Sequence, residues 1–149
     1  MRKLTIAAVL AVSAVAATPA VAGETGDLRA EARTAIAWSG GTEDFLGGIA
    51  VGYDHNLGSS AFAGAEVSLD SDFEGNELIN VSGRLGAKLS SGKLYGVVGY
   101  EANDIEEFNV GAGYEHNFGG NLYGKVEYRR YLLSGTDGNV AGVGIGMRF

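Results

Sequence analysis

The sequence predicts an all-β fold, an eight-stranded antiparallel up-and-down transmembrane β-barrel preceded by a cleaved signal peptide. Three observations carry this reading. The first is alternation, clearest at the C-terminal end, where Ala141, Val143, Ile145, Met147 and Phe149 are interleaved with Gly142, Gly144, Gly146 and Arg148. Successive strand side chains point to opposite faces, so one face is greasy while the other is bare backbone and a charge. The second is glycine, 25 of 149 residues, dispersed through the alternating segments rather than gathered into linkers, against about 7% in ordinary proteins. Glycine inside a strand marks bends or crowded interiors. The third is a pair of near-repeats that recur at strand ends and set a hairpin plan.

The N-terminal segment is read first. Arg2 and Lys3 precede an apolar, Ala-rich run over 4–17, and Ala20-Val21-Ala22 forms an A-x-A cleavage site. This is a secretory signal peptide over 1–22, with processing before Gly23 and one barrel domain over 23–149. The apolar run is too short for a spanning helix, and no other stretch approaches the ~20 apolar residues required. Pro19, the single proline, falls in the discarded segment, and cysteine is absent. No disulfide framework or thiolate metal site is therefore expected.

Alternation places strands at about 28–38, 45–55, 60–70, 78–89, 93–102, 108–117, 121–132 and 140–149. The outward row runs Ala30 to Trp38, Phe45 to Tyr53, Ala61 to Leu69, Ile79 to Leu89, Leu94 to Tyr100, Val110 to Tyr114, Leu122 to Tyr128 and Ala141 to Phe149, every second residue, without a charge. Its aromatics gather near strand ends: Trp38, Phe45, Tyr100, Phe108 and Tyr128 at one rim, Tyr53, Tyr114 and Phe149 at the other. Two aromatic belts around an apolar band fit two membrane interfaces. From Phe45 to Tyr53 the rise is about 26 Å, which a ~40° tilt reduces to roughly 20 Å, near the ~25 Å band of such barrels.

The complementary row holds Arg29, Glu31, Arg33, Asp54, Glu66, Arg84, Lys88, Glu101, Glu115, Lys125, Glu127, Arg129 and Arg148. Eight strands leave an interior about wide enough to be filled by side chains. Charges there must pair, because isolated burial costs several kcal/mol. The expected lumen network is built on Glu31, Glu66, Arg84, Glu127, Arg129 and Arg148. The repeats are Gly52-Tyr53-Asp54-His55-Asn56-Leu57-Gly58 with Gly113-Tyr114-Glu115-His116-Asn117-Phe118-Gly119, and Leu94-Tyr95-Gly96 with Leu122-Tyr123-Gly124. Each belongs to a hairpin, the unit of a meandering barrel.

These features resemble the small outer-membrane β-barrel family, which includes the transmembrane domain of outer-membrane protein A and the opacity-type proteins of the porin family. The resemblance covers about Leu28 to Phe149. It implies the cell outer membrane, reached through the periplasm, with both mature termini on the periplasmic side. Short turns at 56–60, 90–92 and 118–120 then face the periplasm, and connections near 39–44, 71–77, 103–107 and 133–139 face outward. It also implies that the last strand, through Val143, Ile145, Met147 and Phe149, is the signal read by the barrel-insertion machinery. With no segment after Phe149, a periplasmic domain that grips cell wall is not expected.

The net charge of −7 concentrates on the outward connections, where Glu43, Asp44, Asp72, Glu74, Glu77, Asp104, Glu106, Glu107 and Asp137 occur without Lys or Arg. Two readings stand side by side: hydration beside anionic lipopolysaccharide, and loosely held divalent cations bridging loops and lipid phosphates. Asp70-Ser71-Asp72-Phe73-Glu74-Gly75 begins like a calcium loop, but its twelfth position is Val81 rather than a bidentate Glu. No cofactor or dedicated metal site is expected, and an acidic surface excludes nucleic-acid binding. Arg130 is anomalous: alternation from Tyr128 aims it at lipid, where it would clasp a phosphate, while a bulge would turn it inward.

The function expected is structural or surface-interacting, without catalysis. A narrow channel for ions or very small solutes, a lipid A-modifying enzyme and a soluble ligand-binding barrel are the alternatives. The deacylases among such barrels carry His and Ser two residues apart. Here His55 is followed by Asn56 and Leu57, and His116 by Asn117 and Phe118, so that spacing is missing. A soluble barrel would expose its apolar band to water, which favours aggregation.

Overall fold

The computed structural model describes residues 25–102, 107–132 and 138–149. The expected signal peptide over 1–22, Asp104, Glu106 and Asp137 lie outside them. The described chain forms β1 (Gly26–Ser39), β2 (Thr42–Leu57), β3 (Ala61–Ser71), β4 (Glu77–Leu89), β5 (Gly92–Glu101), β6 (Glu107–Gly119), β7 (Leu122–Tyr131) and β8 (Gly138–Arg148). Each strand pairs antiparallel with its sequence neighbour, and β8 returns to β1, so the sheet closes into a barrel. Closure removes the unpaired edges that would otherwise seed aggregation. The seam runs from Trp38 opposite Asn139 to Arg29 opposite Arg148. It is extended by reciprocal bonds in which Phe149 N donates to Leu28 O at 2.8 Å and Leu28 N to Phe149 O at 3.1 Å.

The eight expected strands are present, but the connection expected over 39–44 is a two-residue turn. Gly40 and Gly41 both take positive φ, 57° and 92°, as a tight hairpin turn of primed type requires of both central residues. Ser39 therefore pairs with Thr42, and Glu43 and Asp44 stand on β2 rather than in a loop. Glu77 and Glu107 likewise begin β4 and β6. A bulge between Asn117 and Gly119 shifts the β6–β7 register.

The two faces separate by chemistry. Outward residues such as Leu85 (62% exposed), Val98 (57%) and Phe45 (57%) would lie bare in water, whereas Asp54, Glu115, Phe62 and Tyr123 inside are fully buried. Two outward glycines are covered by aromatics: the Phe73 ring occupies the space a Cβ on Gly47 would take, and Phe118 does so at Gly124. Phe73 reaches Gly47 from a left-handed conformation (φ 62°) in the β3–β4 turn, and it stacks on Phe45 with ring centroids 6.3 Å apart.

Candidate functional site

The site is the lumen, and the repeats explain how it is filled. In both Tyr-acid-His-Asn segments the acid and the Asn point inward while the Tyr and the His point outward. The two acids, Asp54 and Glu115, converge on one guanidinium. Arg84 donates from Nε to Asp54 Oδ1 at 2.9 Å and from one terminal nitrogen to Asp54 Oδ2 at 2.5 Å. Its other terminal nitrogen donates to Glu115 Oε1 at 2.5 Å. The two Asn residues accept from lumen cations near the terminal end of the barrel, Asn56 from Lys88 at 3.1 Å and Asn117 from Arg148.

The Leu-Tyr-Gly repeat works the same way. Tyr95 and Tyr123 point inward, each opposite a glycine, Gly113 and Gly146. A Cβ on either glycine would overlap the tyrosine ring, so these positions are kept bare by close approach rather than by backbone conformation. Each phenol donates to a carboxylate, Tyr95 to Glu127 at 2.7 Å and Tyr123 to Glu31 at 3.0 Å. Each ring carries an arginine over its face, Arg84 and Arg148 respectively, both at 4.5 Å. Cation–π contact of a desolvated Arg adds to the ion pairs.

Of the six lumen residues expected from sequence, Glu66, Arg129 and Glu127 form one cluster, with Arg129 3.4 Å from Glu66 and 2.6 Å from Glu127. Arg84 and Arg148 meet through Glu115, each at 2.5 Å. Glu31 joins through Lys125, 2.6 Å away, which lies 3.7 Å from both Glu66 and Glu127. Glu66 is the hub, since Arg29 (3.0 Å) and Arg33 (3.5 Å) also reach it. Apart from Asp44 and Glu107 at the outer mouth, the charges omitted from the sequence reading of this row are Asp27, Asp70 and Lys93. Lys93 bonds Asp27 and Asp54, both at 2.9 Å, and Asp70 is gripped by Arg33. Strict alternation from Leu94 and Leu69 would have placed Lys93 and Asp70 in the lumen. With them the row below the outer mouth holds eight cations and eight carboxylates, and Asp44 and Glu107 add two carboxylates on the same face at the mouth, opposite Ala37 and Glu101.

At the rim opposite the termini, Trp38 packs on Tyr128 (6.3 Å between centroids) and Tyr100 on Phe108 (5.1 Å). Tyr53 and Tyr114 lie near the other rim, and Val143, Ile145 and Met147 point outward beside them. His116 sits between Tyr114 and Phe118. Tyr114 Oη lies 3.3 Å from both His116 Nδ1 and Ser91 Oγ, so a phenol separates that serine from the imidazole. The acidic stretch after Asp70 does not converge on a point. Asp70 faces Arg33, while Asp72 accepts from the Asn76 side-chain amide at 2.5 Å and from the backbone N–H groups of Glu74, Gly75 and Asn76. Those donors, the Asn76 amide first, hold the Asp72 carboxyl below the usual range. Among the described residues no group of three or more His, Asp and Glu is placed to hold a metal ion.

A closed antiparallel barrel with an apolar exterior and a charged interior is the arrangement of a membrane-spanning barrel rather than a soluble one. The family described as outer membrane protein beta-barrel domain matches residues 7–149. The chain belongs to this family, and its place is the cell outer membrane. Three solved structures show the same fold. The attachment invasion locus protein Ail of Yersinia pestis, in complex with the heparin analogue sucrose octasulfate, is 13% identical, with TM-score 0.61 over 83% of this chain and 97% of that one. The N-terminal β-barrel domain of Pseudomonas aeruginosa OprF is 15% identical, with TM-score 0.52 over 83% and 99%. A de novo designed transmembrane β-barrel is 16% identical, with TM-score 0.54 over 85% and 98%. A search of curated proteins gives no significant match.

Proposed function

We propose that the chain is a structural and surface-interacting barrel of the outer membrane, without catalysis, whose lumen is sealed by its own ion pairs. The observation that carries this is the Arg84 layer. Arg84, Asp54, Glu115 and Arg29 are between 0 and 5% exposed, as are the Phe62 and Tyr95 rings packed against them. A conducting path would have to break pairs that are stable only while together, since one partner removed leaves a buried charge. A leader over 1–22 exports the chain. The strand ending at Phe149 is offered to the insertion machinery, and the two aromatic belts fix its depth in lipid. Ail is a complex with a sulfated ligand, but the outer rim here carries Glu43, Asp44, Asp72, Glu74, Glu77 and Glu107, which repel such polyanions. Divalent cations act at this rim as diffuse bridges between carboxylates and lipid phosphates.

Purified protein in a planar bilayer tests the sealed lumen. The expected result is no unit current. Steady currents that change with Glu66→Ala or Arg129→Ala would establish a narrow channel in its place.

A further inference from the structure

At its outer end the lumen widens into a cup of about 390 Å³. Asp44, Glu101 and Glu107 stand in its wall, Asp72 at its lip, and Leu46, Leu78 and Tyr131 toward its floor, where they also border the layer of Arg33 and Asp70 beneath. Among the described residues no Lys or Arg lines this cup. Arg129, from the layer below, is committed to Glu127, Glu66 and Asn80, and Arg130 stands on the outward face of β7.

The acids form two poles. β2, which carries Asp44, and β6, which carries Glu107, are four strands apart whichever way the closed barrel is followed, so the two carboxylates face each other across the lumen. At the second pole Glu107 pairs directly with Glu101 of β5, and like charges directly opposite are destabilising. Glu101 is only 2% exposed and accepts from the Tyr131 hydroxyl. Glu107 holds a buried carboxylate oxygen with no hydrogen-bond partner. Every other carboxylate of the buried row meets a Lys or Arg. A buried acceptor left unmade costs free energy that a donor, best a cationic one, recovers.

A single metal ion does not answer this arrangement, because among the described residues no three acidic or His groups converge. A molecule with two cationic ends and a hydrocarbon middle does. Its middle would lie over Leu46 and Leu78, and the cup falls within the roughly 300–1,000 Å³ of small-molecule sites. We propose that this cup binds one linear diamine or oligoamine, with one ammonium between Glu101 and Glu107, a second on Asp44, and the methylenes across the leucines. An ammonium has three donors and no acceptor, so one group serves both glutamates and the orphaned oxygen together. The site goes beyond the sealed-lumen reading and does not depend on it, since the cup lies outside the Arg84 layer.

The test is equilibrium dialysis of barrels in neutral phosphatidylcholine nanodiscs against α,ω-diaminoalkanes from diaminopropane to diaminooctane. One diamine per barrel is expected, with one chain length held best and butylamine, which reaches a single pole, about tenfold weaker. Glu107→Gln and Asp44→Asn are each expected to weaken the best diamine about tenfold, the loss of one charge-assisted contact. Ala37→Phe, opposite Asp44, fills the cup while keeping every charge, and is expected to weaken binding as well. Glu43→Gln removes an equal charge from the outward face and is expected to change binding less than about twofold, because salt screens exposed charges. Equal losses for Glu43→Gln and Glu107→Gln, or butylamine held as tightly as the best diamine, overturn the proposal. Unaltered binding by Ala37→Phe overturns the placement in the cup, and displacement of the diamine by equimolar Mg²⁺ replaces it with an inorganic cation site. Boiled and unboiled samples on a denaturing gel report folding. Glu107→Gln removes a repelling carboxylate and is expected to keep the mobility shift, so its lost diamine is lost from a folded barrel.

Discussion

Arg84→Ala is expected to destabilise the folded barrel by about 3 kcal/mol, toward the lower end of the ~3–5 observed when one partner of a buried pair is removed. The substitution removes two bonds to Asp54 and one to Glu115, together with guanidinium contacts to the Phe62 and Tyr95 rings. It leaves two fully buried carboxylates. The loss stays at the lower end because Lys93 and Arg29 still reach Asp54, at 2.9 and 3.3 Å, and Arg148 still reaches Glu115. Equilibrium urea unfolding in lipid vesicles measures the difference, with Glu43→Ala at the exposed rim as a control expected within about 0.5 kcal/mol of wild type. A loss under about 1 kcal/mol for Arg84→Ala would show that the lumen admits water freely and that the pairs are solvated rather than buried.

Phe149→Ala is expected to lower the yield of assembled barrel severalfold in growing cells while leaving refolding in vitro nearly unchanged. The two seam bonds of Phe149 are made by its backbone, so the alanine variant keeps the closure and loses only the ring. Deleting the residue removes both and is expected to harm refolding as well. Comparing the two variants separates a recognition role for the aromatic from a structural role for the last pair. Unchanged outer-membrane yield for Phe149→Ala would remove the terminal ring as an insertion signal.

Much of the fold was legible because a barrel wall one strand thick exposes each residue to one of two solvents. Charges such as Arg29, Glu66 and Glu115 declared the lumen, and a period of two did the rest. The turn at Gly40 and Gly41 was harder to read. Acidic Glu43 and Asp44 look like loop residues, yet polar residues extend a strand readily once it leaves the lipid. Pairing inside the lumen was legible only in part. Alternation gives the face of Glu66 and Arg129, but cross-barrel contacts such as Arg84 with Asp54 join strands whose order in sequence says nothing about reach. Equivalent positions in a repeated hairpin have equivalent surroundings, so Asp54 and Glu115 could have been matched as twin acids, and Tyr95 and Tyr123 as twin phenols. The outward placement of Phe73 depends on a left-handed turn conformation, which sequence alternation does not encode.

The inside-out arrangement can be tested without altering the protein, because Trp38 is its only tryptophan and lies on the outer face, 38% exposed. The measurement is quenching of its fluorescence after folding into vesicles, by bromine on lipid acyl chains and by iodide in the water. Strong quenching by bromines placed close to the headgroup, with weak quenching by iodide, is the predicted result. Strong iodide quenching with no effect of brominated lipid would contradict a lipid-facing apolar row and return the chain to the soluble barrels.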